Sequence, residues 1–205
     1  AMLRDAAAAR GWRALDVQTE AGNRTTYLQR PDLGRRLDTT SCDRLAALHG
    51  GPVDVAFVIA DGLSTRAAEK HAIAVLDLAV ATLVTWGWTI APIVIARQSR
   101  VALGDEIGAL FHAGLVAILI GERPGLSAVD SLGIYVTHAP HIGRTDAERN
   151  CISNIRAGGL TYEQAAHKLV YLMRESRRLG LTGVALKDES DRVPMLIQSD
   201  LRSEI

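Results

Sequence analysis

Four apolar runs of strand length limit what this chain can fold into: Val55–Ala60, Thr89–Ala96, Val116–Ile120 and Leu132–Thr137. The first is apolar without alternation, the pattern of a strand covered on both faces. Helical patterns separate the runs. From Arg66 to Thr85 the chain is polar mainly in its first turns. Ile73, Val75, Leu76, Leu78, Ala79, Val80, Leu83 and Val84 then cover more than one face, so this helix must be buried on several sides. Either another element of the chain or a partner subunit has to cover it. A shorter amphipathic helix places Leu103, Ile107, Leu110 and Phe111 on one face, with Gly114 expected to end it. Strands alternating with helices predict an α/β fold: a Rossmann-like open, mostly parallel sheet with flanking helices and a short N-terminal extension.

The chain is 205 residues long, enough for one substantial core. The extension, residues 1–52, is expected to carry a helix near Arg4–Arg10, a short strand at Thr25–Gln29, and a short helix announced by Thr40 and Asp43 at capping-box spacing. The α/β domain then spans residues 53–186, and residues 187–205 form a charged, weakly patterned tail. Within the domain, Thr161-Tyr162-Glu163-Gln164 is a capping box. The helix behind it buries Ala165, Leu169, Leu172 and Met173, Gly180 stops it, and Val184–Leu186 suggests an edge strand.

Charge and composition exclude several function classes. Lys plus Arg and Asp plus Glu are 23 each, and aromatic residues are 4%, so no chain-wide basic field exists to attract nucleic acid, although local patches remain open, and a base-stacking platform is not expected. Residues 72–96 are mostly apolar, but Asp77, Gly87 and Pro92 make them a buried helix, a turn and a buried strand rather than a membrane span. Cys42 and Cys151 form no disulfide framework and suit a reducing cytosol. The N-terminus shows no hydrophobic signal core.

In an open α/β sheet, ligands sit outside the carboxyl ends of the strands. Three segments therefore become candidates for one shared site: Arg97–Val101, the turn Gly121-Glu122-Arg123-Pro124-Gly125, and the loop beyond Leu132–Thr137 that reaches Cys151. Gly121 and Gly125 are expected to supply backbone angles closed to other residues. Arg30, Arg35 and Arg36 sit in a turn that either grips an anion or is simply solvated. In Asp61-Gly62-Leu63-Ser64-Thr65, Ser64 or Thr65 can cap the next helix, and Asp61 beside Ser64 leaves a hydrolase reading open, although no Gly-x-Ser-x-Gly elbow is present. Both the dinucleotide fingerprint and the Walker phosphate loop are missing. His71 reads as a structural histidine. His138, His141, Asp146 and Cys151 tempt a metal reading, yet no matching cysteine pair supports it.

Four stretches go further: Arg30 to Leu37, Asp61 to Thr65, Gly121 to Leu126, and Cys151-Ile152-Ser153-Asn154-Ile155. In this order and spacing the chain, from about Trp12 to Gly180, closely resembles the small subunit of ethanolamine ammonia-lyase. Members of that family usually carry a longer N-terminal segment. The resemblance implies part of an adenosylcobalamin-dependent lyase that splits ethanolamine into acetaldehyde and ammonia. A large barrel subunit carries substrate and radical chemistry, and the small subunit completes the cobalamin site at the interface of a hetero-oligomer, with no catalytic residue of its own. By motif, the family's cobalamin contacts fall on Val101, Glu122 and Cys151. The resemblance also implies base-on cobalamin, and no histidine here lies in the Asp-x-His-x-x-Gly context of proteins that displace the lower base. It implies a cytoplasmic enzyme, with packaging in a bacterial microcompartment left open. The competing readings are a self-sufficient α/β enzyme and a non-catalytic adaptor that docks a partner through the apolar helix at 66–85.

Overall fold

A computed structural model describes residues 2–48, 50–122 and 130–197. In chain order the elements are α1 (Met2–Ala8), β1 (Ala14–Gln18), α2 (Arg24–Gln29), α3 (Thr39–Ala46), β2 (Val53–Ala60), α4 (Thr65–Thr85), β3 (Ile93–Arg97), α5 (Leu103–Leu110), β4 (Ala113–Glu122), β5 (Ser131–His138), β6 (Arg149–Ile155) and α6 (Tyr162–Leu179). The strands form one sheet in the order β1-β3-β2-β4-β5-β6. The first four run parallel, and β5 and β6 are antiparallel to their neighbours. This is the helix-flanked, mostly parallel α/β sheet that the alternation predicts.

Successive side chains of a strand face opposite ways, and β2 is unbroken because each face meets its own core. Val55, Phe57 and Ile59 join α4, α6 and the start of α1 on one side. Ala56, Val58 and Ala60 join α3 and α5 on the other. Each fully buried Leu, Ile or Val contributes about 1.5–3 kcal/mol relative to exposure. Helix α4 is apolar around most of its circumference because the sheet covers one side while α6 and α1 cover others. Elements of this chain thus account for the burial of α4 up to its exposed end at Val84 and Trp86. His71, buried on α4, shares a 2.8 Å hydrogen bond with the Tyr162 hydroxyl at the start of α6.

Several local expectations need correcting. Thr25–Gln29 is not a strand but most of α2, because the Asn23 side chain accepts from the Thr26 amide and starts a helix there. The strand of this region is β1, paired in register with β3. Asp38, not Thr40, caps α3 through the Ser41 amide. Helix α5 stops at Phe111 and His112, where His112 adopts φ 49°, and Gly114 lies inside β4 against the Asp54 carbonyl. Val184 falls in a 3₁₀ turn, Gly183–Ala185, because Gly183 at φ 85° packs against the Ala147 carbonyl and its amide donates to Asn150. Cys151 does not sit in a loop. It lies within β6, which pairs back onto β5.

Two interactions fix the rim at the carboxyl ends of β2, β3 and β4. The crossovers from β2 and β3 leave toward opposite faces, and Asp61 bridges the divergence by accepting from the Gln98 and Ser99 amides at 2.9 and 3.2 Å. The β2–α4 turn also presses on the end of β4: a Cβ on Gly121 would lie 1.9 Å from the Ser64 carbonyl oxygen. Gly121 is therefore required by close approach in an extended strand, not by the unusual backbone angles expected of it. Farther along, Arg149 of β6 donates to both carboxylate oxygens of Asp105 in the first turn of α5, at 2.6 and 2.7 Å, and to Thr137 of β5 at 2.9 Å. Both charged side chains are only 2% exposed.

Removing Asp105 leaves the buried Arg149 guanidinium with only the exposed Asp146, 3.3 Å from its Nε, as a charged partner. Asp105→Ala is expected to lower unfolding free energy by about 3–5 kcal/mol, read from urea midpoints, while Asp105→Leu combined with Arg149→Met recovers most of the loss. A change below about 1 kcal/mol in Asp105→Ala would mean that something else holds α5 to β6.

Candidate functional site

The site is a cleft of about 730 Å³ beside α5, lined by the Pro31–Arg36 turn, Arg100 to Ala102, Asp105, Tyr135 of β5 and the 142–146 loop with Arg149. Register places it. Ile118, Tyr135 and Cys151 are opposite one another across β4, β5 and β6, so Tyr135 and Cys151 share the sheet face that α5 covers farther in. Beyond α5 that face opens to solvent at Cys151 and Ser153.

Tyr135 joins two of the three expected contacts. Its hydroxyl donates to Glu122 Oε1 at 2.8 Å, and on its other side it meets the Cys151 side chain. Glu122 ends β4, and its carboxylate lies over Gly133, where a Cβ would come within 2.3 Å of Oε1. Only a residue without a side chain lets the carboxylate reach back along the sheet to the phenol. Val101, half-buried in the turn after β3, lines the same cleft as Tyr135. Glu122 and Cys151 therefore adjoin one tyrosine and Val101 lines the cleft that this tyrosine borders, but not as three rim loops. Val101 and Glu122 lie at strand ends. Cys151 is reached along a strand that runs antiparallel to β5.

Electrostatics fix the protonation of this group. Burial, then the neighbouring Cys151 and Glu122, push the Tyr135 phenol well above its ordinary value, so it remains a donor. The Cys151 thiol is likewise raised by surrounding protein atoms, and by the Glu122 charge, against the opposing hydrogen bond with Tyr135. The residue retains solvent exposure overall, and it is the packing around sulfur that sets this direction. At neutral pH it presents a thiol rather than a nucleophilic thiolate.

The rest of the lining is pre-positioned. Arg36 donates to Glu106 at 3.2 and 3.3 Å, and Glu106 also receives the Leu37 amide at 2.9 Å. Tyr27 is held between the Arg24 and Arg100 guanidinium groups, 4.8 and 4.3 Å from its ring centre, and donates to the Ser99 carbonyl. Arg24 also donates to the Gly62 and Leu63 carbonyls. Thus the 30–36 turn, the β2–α4 turn and the segment carrying Val101 are tied together before any ligand arrives. Arg30 pairs with Asp32 in solvent, whereas Arg35 and Arg36 line the cleft.

Other expected sites resolve into structural roles. Ser64 caps α4 through the Ala67 amide, and Asp61 is engaged by the two amides described above. His141 faces the Ala139 carbonyl at 3.0 Å, and among the described residues no group of three or more His, Cys, Asp or Glu is arranged to hold a metal ion. Among them too, no helix is long and apolar enough to cross a membrane. Arg123, Pro124 and Gly125 of the expected turn, and Leu126 after it, lie outside the described residues. Sequence reasoning missed Tyr135, Gly133 and the Asp105–Arg149 pair. A signal existed for the first: a tyrosine in an otherwise apolar strand must find a partner for its hydroxyl.

Residues 1–187 match the family described as ethanolamine ammonia-lyase light chain (EutC). The chain is 54% identical over 190 residues to the ethanolamine ammonia-lyase small subunit of Xanthomonas campestris, covering 91% of this chain and 70% of that protein. It is 54% identical over 194 residues to the protein of that name from Azotobacter vinelandii, with 93% and 72% covered. Identity to the Pseudomonas aeruginosa protein of that name is 51% over 194 residues, with 93% and 71% covered.

The phenol cluster has a measurable signature. Ionising Tyr135 would place a second negative charge beside Glu122, so Glu122→Gln is expected to lower its titration while leaving it above the ordinary tyrosine value, because burial remains. Tyrosinate absorbance during alkaline titration reads this, and Tyr135→Phe identifies the transition; an unchanged midpoint in Glu122→Gln would contradict the contact.

Proposed function

The chain belongs to the ethanolamine ammonia-lyase light-chain family, and from that premise we propose that it works as the small subunit of an adenosylcobalamin-dependent ethanolamine ammonia-lyase. In this reading it completes the cobalamin site at the interface with a large subunit, which carries the substrate. The single observation that supports this most is that Glu122 and Cys151 adjoin Tyr135, which borders the same cleft as Val101, on an open sheet face.

The side chains fit the group they would meet. A corrin is a broad ring with an apolar edge and a rim of neutral amide side chains. Val101 supplies an apolar surface for such an edge. Glu122, with one oxygen engaged by Tyr135, retains acceptor capacity for amide N–H donors. Cys151 adds a neutral, polarisable thiol. The lower nucleotide base stays on cobalt in this proposal, so the chain has no cobalt ligand to provide. Bound adenosylcobalamin supplies the radical by homolysis of its cobalt–carbon bond. The chain's own work is binding, orientation and exclusion of water from one side of the ring, with the rim held ready by Asp61, Arg24 and the Asp105–Arg149 pair.

Copurification with the large subunit followed by ammonia-release assays tests this directly. The chain alone is expected to release no ammonia, and the two-subunit complex to bind cobalamin, with a shifted absorbance spectrum, and to release ammonia. Activity from this chain alone would sink the proposal. A complex that forms normally but binds cobalamin equally well without this chain would favour a simple adaptor.

A further inference from the structure

The proposed function calls for a carboxylate that faces an amide-rimmed ring in a fixed direction, and Glu122 has little in its own backbone to fix it. It sits at the last position of β4, where the ladder ends. Its direction comes from β5. Gly133 leaves the space through which the carboxylate folds, and Tyr135, two residues farther along the same strand, receives it. The same phenol meets Cys151 on the next strand.

A phenol has one proton to donate. Between an ionised carboxylate and a neutral thiol, the carboxylate is the stronger acceptor, and charge-assisted hydrogen bonds are the shorter and stronger class. The Tyr135 proton therefore belongs to Glu122.

We infer that Tyr135 is the positioning residue of the corrinoid-facing site: through its hydroxyl it aims the Glu122 carboxylate, and as the residue opposite Cys151 across the β5–β6 ladder it stands beside that thiol, without itself needing to touch the ring. This rests on the proposed role of Glu122 and Cys151, and it assigns to β5 a task that the three motif residues do not perform for themselves. Gly133 belongs to the same device, since a side chain there would displace the carboxylate from the phenol.

The test is a double-substitution cycle on the assembled two-subunit complex, with cyanocobalamin binding followed by absorbance and the KM for adenosylcobalamin measured in parallel. Tyr135→Phe is expected to weaken cyanocobalamin binding about tenfold, the scale of one hydrogen bond to a charged group. It should raise the KM for cofactor to match and leave kcat at saturating cofactor nearly unchanged. Glu122→Ala should weaken binding at least as much. The double variant should bind within about twofold of Glu122→Ala alone, because the phenol then has no carboxylate to aim. Gly133→Ala, which leaves the hydroxyl in place, should reproduce the loss and guards against misfolding of a single variant. If Glu122→Ala leaves binding unchanged, the proposed role of Glu122 is wrong and this inference falls with it. If Glu122→Ala weakens binding but Tyr135→Phe does not, or if the two losses simply multiply, the role of Glu122 stands and the positioning role of Tyr135 is overturned.

Discussion

Two opposite charges meet away from water where Asp105, in the first turn of α5, receives both terminal nitrogens of Arg149 on β6. Helix α5 belongs to the parallel half of the sheet, and β6 is the outermost antiparallel strand. Nothing in strand pairing alone fixes how far one stands from the other. A bidentate pair does, because its geometry is satisfied over a few tenths of an ångström and a few tens of degrees. A pair of this kind is weak evidence of stability, since apolar residues of similar volume often hold a core as well. Its value here is placement. Thr137, the Arg144 carbonyl and Asp146 engage the remaining donors of Arg149, so the guanidinium has one position. Val101, two residues before α5, is thereby held at a set distance from the strand that carries Cys151.

The same principle recurs along the rim. Asp61 locks the ends of β2 and β3 to each other, Arg24 clamps the β2–α4 turn, and Tyr27 stands between two guanidinium groups that each serve a backbone carbonyl. Polar groups buried or half-buried in this way are costly without their partners. Here the partners are backbone atoms of separate loops, so satisfying them also fixes the loops. A surface assembled beforehand asks less ordering of whatever docks on it.

Much of this was legible in the residues. The unbroken apolar β2 announced a strand covered on both faces, and the all-round apolar α4 announced a helix packed on several sides. The Thr161 capping box marked the start of α6 within a residue. What periodicity does not encode is direction: a strand's pattern is the same whether its neighbour runs with it or against it, so the antiparallel turn at β5 was invisible. That reversal moved Cys151 from an imagined loop into β6. β6 itself was hidden because its open face carries Cys151 and Ser153 while Arg149 takes a buried position, which destroys simple alternation. At Thr25–Gln29, β-branched composition suggested extension, and the local cap from Asn23 overrode it. The motif stretches located Val101, Glu122 and Cys151, but the tyrosine and glycine that relate them lie on a strand no motif names.

The contact between Gly121 and the Ser64 carbonyl also has a mechanical meaning. At that point the chain is threaded so closely that the entrance of α4, on one side of the sheet, and the last residues of β4, whose terminal carboxylate serves the opposite side, behave as a single rigid joint. The Leu63 amide also donates to the Gly121 carbonyl at 2.8 Å, so the turn that opens α4 and the residue just before Glu122 are joined by a hydrogen bond as well as by close contact.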